Sequence, residues 1–144
     1  FIFRVSSLFG RKGSTGKGGT NFVLSMLNQA KTKDDFRIVD DIVMSPTYSL
    51  DAARKIWKII ESGNFGIHHI SNSGMCTWFD LAREIFESAG LEKSVTPVPH
   101  SEFPSIAQRP LRTPLSSERG SICRPWEESI RDFVSSLRNI NHYQ

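Results

Sequence analysis

Val39-Asp40-Asp41-Ile42-Val43-Met44-Ser45-Pro46-Thr47-Tyr48 is the stretch on which the fold turns. It grows out of Phe36-Arg37-Ile38-Val39, a short run rich in β-formers that Asp40-Asp41 closes, and it leads into a helix that Ser49 can cap. Ser45-Pro46-Thr47 punctuates the entry to that helix, which carries Ala52, Ala53, Ile56, Trp57 and Ile60 on one side and stops at Gly63. Gly66-Ile67-His68-His69-Ile70-Ser71 reads as the next strand. Thr77 and Asp80 then make a capping-box-like start, with Asp in place of Glu, for a helix whose buried stripe is Trp78, Ala82, Ile85, Phe86 and Ala89 before Gly90.

The pattern extends in both directions. Residues 1–6, Phe1-Ile2-Phe3-Arg4-Val5-Ser6, read as a strand that begins without an initiator Met, so its sheet neighbours are expected upstream in a larger protein. After the glycine-rich basic loop 10–19, Thr20 is an N-cap candidate for a helix with Val23, Met26, Leu27 and Ala30 on its apolar face. Residues 95–98 form a brief strand, 99–122 an irregular Pro- and Ser-rich excursion, and Pro125 opens a last helix packed through Ile130, Phe133, Val134 and Leu137. Strand and helix alternate throughout, which predicts an α/β fold with a mixed, mostly parallel sheet and about four helices.

A chain of 144 residues can bury a real core, and with 38% hydrophobic and 23% charged residues it has no apolar run of membrane-spanning length. Neither a membrane nor a nucleic acid is expected as a partner; the net charge of +3 is mild, and Arg4, Arg11, Lys12, Lys17, Lys31 and Lys33 near the start give a modest reason to expect an anionic partner, although a solvated surface fits them better. Cys76 and Cys123 stand alone in neither a CxxC nor a zinc-ligand spacing, and residues 1–6 carry no signal-peptide pattern. Free thiols in a reducing compartment follow, and a cytoplasmic location is the expectation.

Several chemistries fail on spacing. Gly10 to Thr20 misses the phosphate-loop pattern twice, since five residues separate Gly10 from Gly16 and Gly18 stands where a hydroxyl is needed. No Gly-x-Gly-x-x-Gly follows a strand, and no Gly-x-Ser-x-Gly elbow is present. His68 and His69 are adjacent in a strand and point to opposite faces, one to the core and one outward, so no shared metal is expected. Carbonyl reduction by a Tyr with a Lys four positions on is also missing: Tyr48 is followed at that spacing by Ala52, and Tyr143 is the penultimate residue. No catalytic residue and no metal ligand is assigned.

The ordered set of motifs resembles the C-terminal, substrate-binding part of the dTDP-4-dehydrorhamnose reductases, a family of the extended short-chain dehydrogenase/reductase superfamily. Arg4-Val5-Ser6-Ser7-Leu8-Phe9-Gly10 is similar to the family's Arg-Thr-Ser-Trp-Val-Tyr-Gly, with Ser7 in the place of the Trp. Asn21-Phe22 matches the Asn-Asn-Phe that opens the next helix. Asp40-Asp41 and Ser45-Pro46-Thr47-Tyr48 resemble Asp-Asp-Gln-x-Gly-Ser-Pro-Thr-Tyr, with Ile42 for Gln and Met44 for Gly. Glu102-Phe103-Pro104 and Gln108-Arg109-Pro110 are similar to Phe-Pro-x-x-Ala-x-Arg-Pro, and Arg124-Pro125-Trp126-Glu127-Glu128 to the start of the final helix.

The resemblance implies that residues 1–144 are the C-terminal portion of a Rossmann-like nucleotide-sugar reductase whose dinucleotide-binding portion lies upstream. The intact enzyme would convert dTDP-4-dehydro-L-rhamnose to dTDP-L-rhamnose with NADPH or NADH, with Mg2+ as a further candidate. This portion alone would be inactive and would hold no cofactor tightly. Ser6, Ser7, Asn21, Phe22, Ser45, Thr47 and Arg109 are the implied contacts to a dTDP-sugar, Arg109 at the diphosphate. Without the resemblance Arg109 reads as a surface cation, Asn21 as a helix cap, and Trp78 and Phe79 as packing. Exposed strand edges imply self-association, for example as a homodimer. The alternative is a non-catalytic fold relative of the kind found as the regulatory subunit of methionine adenosyltransferase.

Overall fold

The computed structural model describes residues 1–13, 16, 18–103 and 110–138. Its strands are β1 (Ile2–Val5), β2 (Leu8–Phe9), β3 (Asp35–Val39), β4 (Val43–Met44), β5 (Thr47–Tyr48), β6 (Ile67–Ile70), β7 (Asn72–Ser73), β8 (Cys76–Thr77), β9 (Ser94–Val98), β10 (Arg112–Thr113) and β11 (Cys123–Pro125). Four helices are interleaved with them: α1 (Phe22–Gln29), α2 (Ser49–Glu61), α3 (Trp78–Ser88) and α4 (Trp126–Arg138). The fold is α/β as expected. Its pairing is mostly parallel but spread over five small sheets: β1 with β6, β2 with β5, β3 with β9, β7 with β11, and β4 between parallel β10 and antiparallel β8. Residues 1–6 and 66–71 therefore share a sheet, with Ile2 opposite Ile67 and Val5 opposite Ile70.

One core cluster gathers Phe9, Val23, Phe36, Met44, Tyr48, Leu81, Ile85, Ile130 and Phe133, so α1, α3 and α4 close over β2 to β5. A smaller cluster of Ala52, Ile59 and Ile70 seats α2 on the β1–β6 ladder. The α3 start is the expected capping box: Asp80 N donates to Thr77 Oγ1 and Thr77 N donates to Asp80 Oδ2, each at 3.0 Å. Gly63 adopts φ +66° just past α2, the left-handed turn that an L side chain resists.

Four local expectations are corrected. The α1 cap is Asn21 rather than Thr20, because the helix opens at Phe22 and Asn21 Oδ1 accepts from Leu24 N at 3.1 Å. Ser49 is the first residue of α2 rather than its cap, since Tyr48 ends β5 directly before it and makes no side-chain cap. Pro125 closes β11 instead of opening α4. The rotation of α2 also differs: Trp57 is 64% and Ile60 44% exposed, while Asp51, Ala52 and Ile59 face inward. A buried carboxylate decides this. Asp51 Oδ2 accepts from Asn72 Nδ2 (2.9 Å), Ser129 Oγ (2.8 Å) and Arg124 Nε (2.9 Å), and that set of donors exists only on the inner side.

Candidate binding site

Ligands of parallel α/β folds collect beyond the carboxyl ends of the strands, and here the chain leaves β1 through Ser6-Ser7. Ser7 has φ +44°, the one positive-φ non-glycine residue among the described residues, a conformation that costs energy unless neighbours hold it. Thr47 supplies the hold: its Oγ1 donates to Ser6 O at 2.6 Å and its N to Ser7 O at 3.2 Å. Ser6 Oγ reaches Thr113 O at 3.4 Å. Ser45 Oγ donates to Gly74 O and accepts from Leu115 N, both at 3.2 Å. Ser6, Ser7, Ser45 and Thr47 are thus brought together where β1, β5 and β10 meet. Ser45 and Thr47 are fully buried with hydroxyls engaged in the fold, while Ser6 and Ser7 keep some exposure.

Asn21 ties the end of β2 to α1. Its Nδ2 donates to Gly10 O at 2.7 Å while its Oδ1 caps the helix, so both ends of the amide are committed. Gly10 lets the chain pass close to α2, because a Cβ here would lie 2.2 Å from Ser49 Oγ and 3.1 Å from Ser49 Cβ and would force that side chain to shift. Phe22, the next residue, lies against the Trp78 ring at 4.7 Å between centroids. Phe22, Trp78, Phe103, Arg37, Ile38 and Val39 line a cavity of about 240 Å³ that is mostly apolar with one guanidinium. Arg37 forms an ion pair with Glu102. The sequence reading missed Arg37 and Phe103 and assigned Trp78 to packing; Trp78 does pack on the core edge and also forms a cavity wall. No local signal could have joined these residues, which come from α1, β3, α3 and the segment after β9.

Asp41 anchors the segment beyond β9: His100 N donates to Asp41 Oδ1 at 2.9 Å and His100 Nδ1 to Oδ2 at 2.7 Å. The His100 side-chain hydrogen bond holds the Asp41 carboxyl below its ordinary value. Arg109 lies outside the described residues. Tyr48 is 5% exposed and stacked on Phe9 at 5.3 Å. Burial raises its phenol pKa above the ordinary 10.0, the opposite of what a proton donor working near neutrality needs. His68 is buried and His69 half-buried, facing opposite ways as expected. Both cysteines are free thiols, and burial pushes each above its ordinary pKa. Among the described residues no group of three His, Cys, Asp or Glu side chains is placed to hold a metal, and no helix is long and apolar enough to cross a membrane.

Comparison with known proteins identifies the family and the fold. A family model described as the RmlD substrate binding domain matches residues 1–139. The spore coat polysaccharide biosynthesis protein SpsK of Bacillus subtilis is 40% identical over 123 residues, covering 83% of this chain and 43% of that protein. The crystal structure of a dTDP-4-dehydrorhamnose reductase from Clostridium acetobutylicum superposes with a TM-score of 0.85 at 37% identity, over 95% of this chain and 48% of that one. A dTDP-4-dehydrorhamnose reductase from Bacillus anthracis, solved in complex with NADP, gives a TM-score of 0.83 at 33% identity, over 94% of this chain and 47% of that one. The chain spans less than half the length of each of these relatives. With a family match across nearly its whole length and the same fold in solved relatives, the chain belongs to the RmlD substrate binding domain family.

Proposed function

We propose that this chain grips the nucleotide sugar in a reductase that converts dTDP-4-dehydro-L-rhamnose to dTDP-L-rhamnose with NADPH or NADH. The observation that carries this reading is the aromatic cavity under Phe22, placed one residue from the Asn21 clamp that joins α1 to the end of β2. A planar pyrimidine suits it: Phe22, Trp78 and Phe103 offer stacking surface, and Arg37 offers donors for ring carbonyls. The sugar then extends toward Ser6 and Ser7, and Arg109 meets the diphosphate through a charge-assisted, bidentate contact. Thr47 acts as a positioning residue beneath that turn, because its hydroxyl already holds the turn's backbone, and Ser45 holds the neighbouring Gly74 and Leu115 backbone.

Proton and hydride transfer fall outside this chain's residues. It carries no Tyr-x-x-x-Lys pair and no dinucleotide glycine fingerprint. The cofactor would supply the hydride, and the chain's part is to bind and orient the dTDP-sugar.

Titration of the 144-residue chain with dTDP, followed by tryptophan fluorescence, tests the reading. Saturable quenching that weakens roughly tenfold in Phe22→Ala is expected, as stacked aromatic contacts are worth about 1 kcal/mol or more beyond their area. Absence of any dTDP response, or a response untouched by Phe22→Ala, overturns it. NADH and NADPH titrated by calorimetry should give no comparable binding.

A further inference from the structure

Away from that cavity, α2 carries Arg54, Lys55 and Lys58 around a small recess of about 130 Å³, closed by Asp51, Cys123 and Arg124. We infer that this recess between α2 and β11 is a phosphate-binding site, separate from the cleft around Phe22. It shares no lining residue with that cleft.

The charge balance points to an anion, since the lining carries four cationic side chains, Arg54, Lys55, Lys58 and Arg124, and the two carboxylates near them, Asp51 in the wall and Asp132 beyond it, are both engaged by Arg124. Asp51 is already spent: its Oδ2 takes hydrogen bonds from Asn72, Ser129 and Arg124. Arg124 holds Asp51 through Nε and Asp132 through Nη2, which fixes its guanidinium plane at the recess wall. Lys55 Nζ is anchored on Gly120 O at 3.1 Å, so the turn before β11 is drawn over the same side. Arg54 and Lys58 have no carboxylate within ion-pair distance among the described residues. They lie four apart on one helix face, where like charges repel, and an anion seated between them converts that repulsion into two attractions. The Arg54 guanidinium fork with the Lys55 and Lys58 ammonium groups around a concave floor is the donor set that a tetrahedral oxyanion takes. A solvated cationic face without a recess would attract anions only diffusely. Here Cys123 and the Asp51 network give the site a back wall.

The test is an NMR titration of the 144-residue chain with inorganic phosphate at fixed ionic strength, with chloride as the control and dTDP in a separate arm. Saturable shifts confined to the amides of residues 51–58 and 123–124 are expected, weakened roughly tenfold in the Arg54→Gln/Lys58→Gln double variant. Lys58→Glu alone should abolish them, and both variants leave the Asp51 network intact, so native dispersion elsewhere controls for folding. If dTDP shifts the same amides, the site takes any terminal phosphate group; if phosphate alone does, it takes the free ion. Shifts that chloride reproduces, that fail to saturate, that survive in both variants, or that only dTDP produces overturn the assignment. None of these outcomes depends on dTDP binding near Phe22.

Discussion

Arg124 Nε donates to Asp51 Oδ2 at 2.9 Å, tying β11 to the first turn of α2. The same carboxylate oxygen accepts from Asn72 and Ser129, and Asn72 Oδ1 accepts from Tyr48 N at 2.7 Å. One polar knot therefore joins β5, α2, β7, β11 and α4. Each partner left unpaired in that interior would carry its full desolvation cost.

Asp51→Asn keeps the shape of the knot but removes its charge and gives Arg124 a poorer acceptor. A loss of about 3 kcal/mol is expected, toward the lower end for a broken buried ion pair because Arg124 is one-third exposed. Urea unfolding of the two proteins measures it, and a difference under about 0.5 kcal/mol would remove Asp51 from the centre of this network.

Acid should act on the same group. Burial opposes the Asp51 charge, but hydrogen bonds from Arg124, Asn72 and Ser129 outweigh it and hold the carboxyl below its ordinary 3.8. A depressed folded value means that the contribution is fully present above about pH 4 and is lost as pH falls through the folded value. Stability against urea should drop below about pH 4 in the native sequence, and that part of the drop should vanish in Asp51→Asn.

Gly10→Ala places a methyl 2.2 Å from Ser49 Oγ. Overpacking of this kind costs about 1–3 kcal/mol, and the Gly10→Ala/Ser49→Ala pair should recover part of it. Thermal unfolding of the single and double variants decides whether the contact between β2 and α2 is as tight as described.

Strand β1 pairs only with β6 among the described residues, and Ile2 is 57% exposed on it. An apolar strand with an open edge pairs with what it meets, so this chain should self-associate as its concentration rises, and Ile2→Lys should suppress the effect. Sedimentation velocity over a wide concentration range reads this directly; a clean monomer throughout would exclude strand pairing.

In a reductase containing this domain, Arg109→Ala should raise KM for the dTDP-sugar roughly tenfold to a hundredfold, the worth of a charge-assisted contact. Affinity for NADPH should stay nearly unchanged, and Arg109→Lys should rescue only in part because an ammonium lacks the bidentate fork. Unaltered steady-state kinetics in Arg109→Ala would leave the residue a surface cation.

Local chemistry wrote much of this fold into the sequence. The Thr77–Asp80 capping box, the Gly63 stop, the strand periods at residues 1–6 and 66–71 and the inward–outward split of His68 and His69 all depend on neighbours a few positions apart, where spacing is geometry. The rotation of α2 was not legible, because apolar spacing alone favoured the face with Trp57 and Ile60. Asp51 turned the helix the other way with partners 21, 73 and 78 positions distant. The candidate site divides in the same manner. Asn21, Phe22 and the Ser6-Ser7 turn were visible as motifs, whereas the hold of Thr47 on that turn and the cavity shared by Phe22, Arg37, Trp78 and Phe103 exist only once separate elements pack. Burial and long-range hydrogen bonding select among faces that the local sequence leaves nearly equal, and that choice belongs to the tertiary structure.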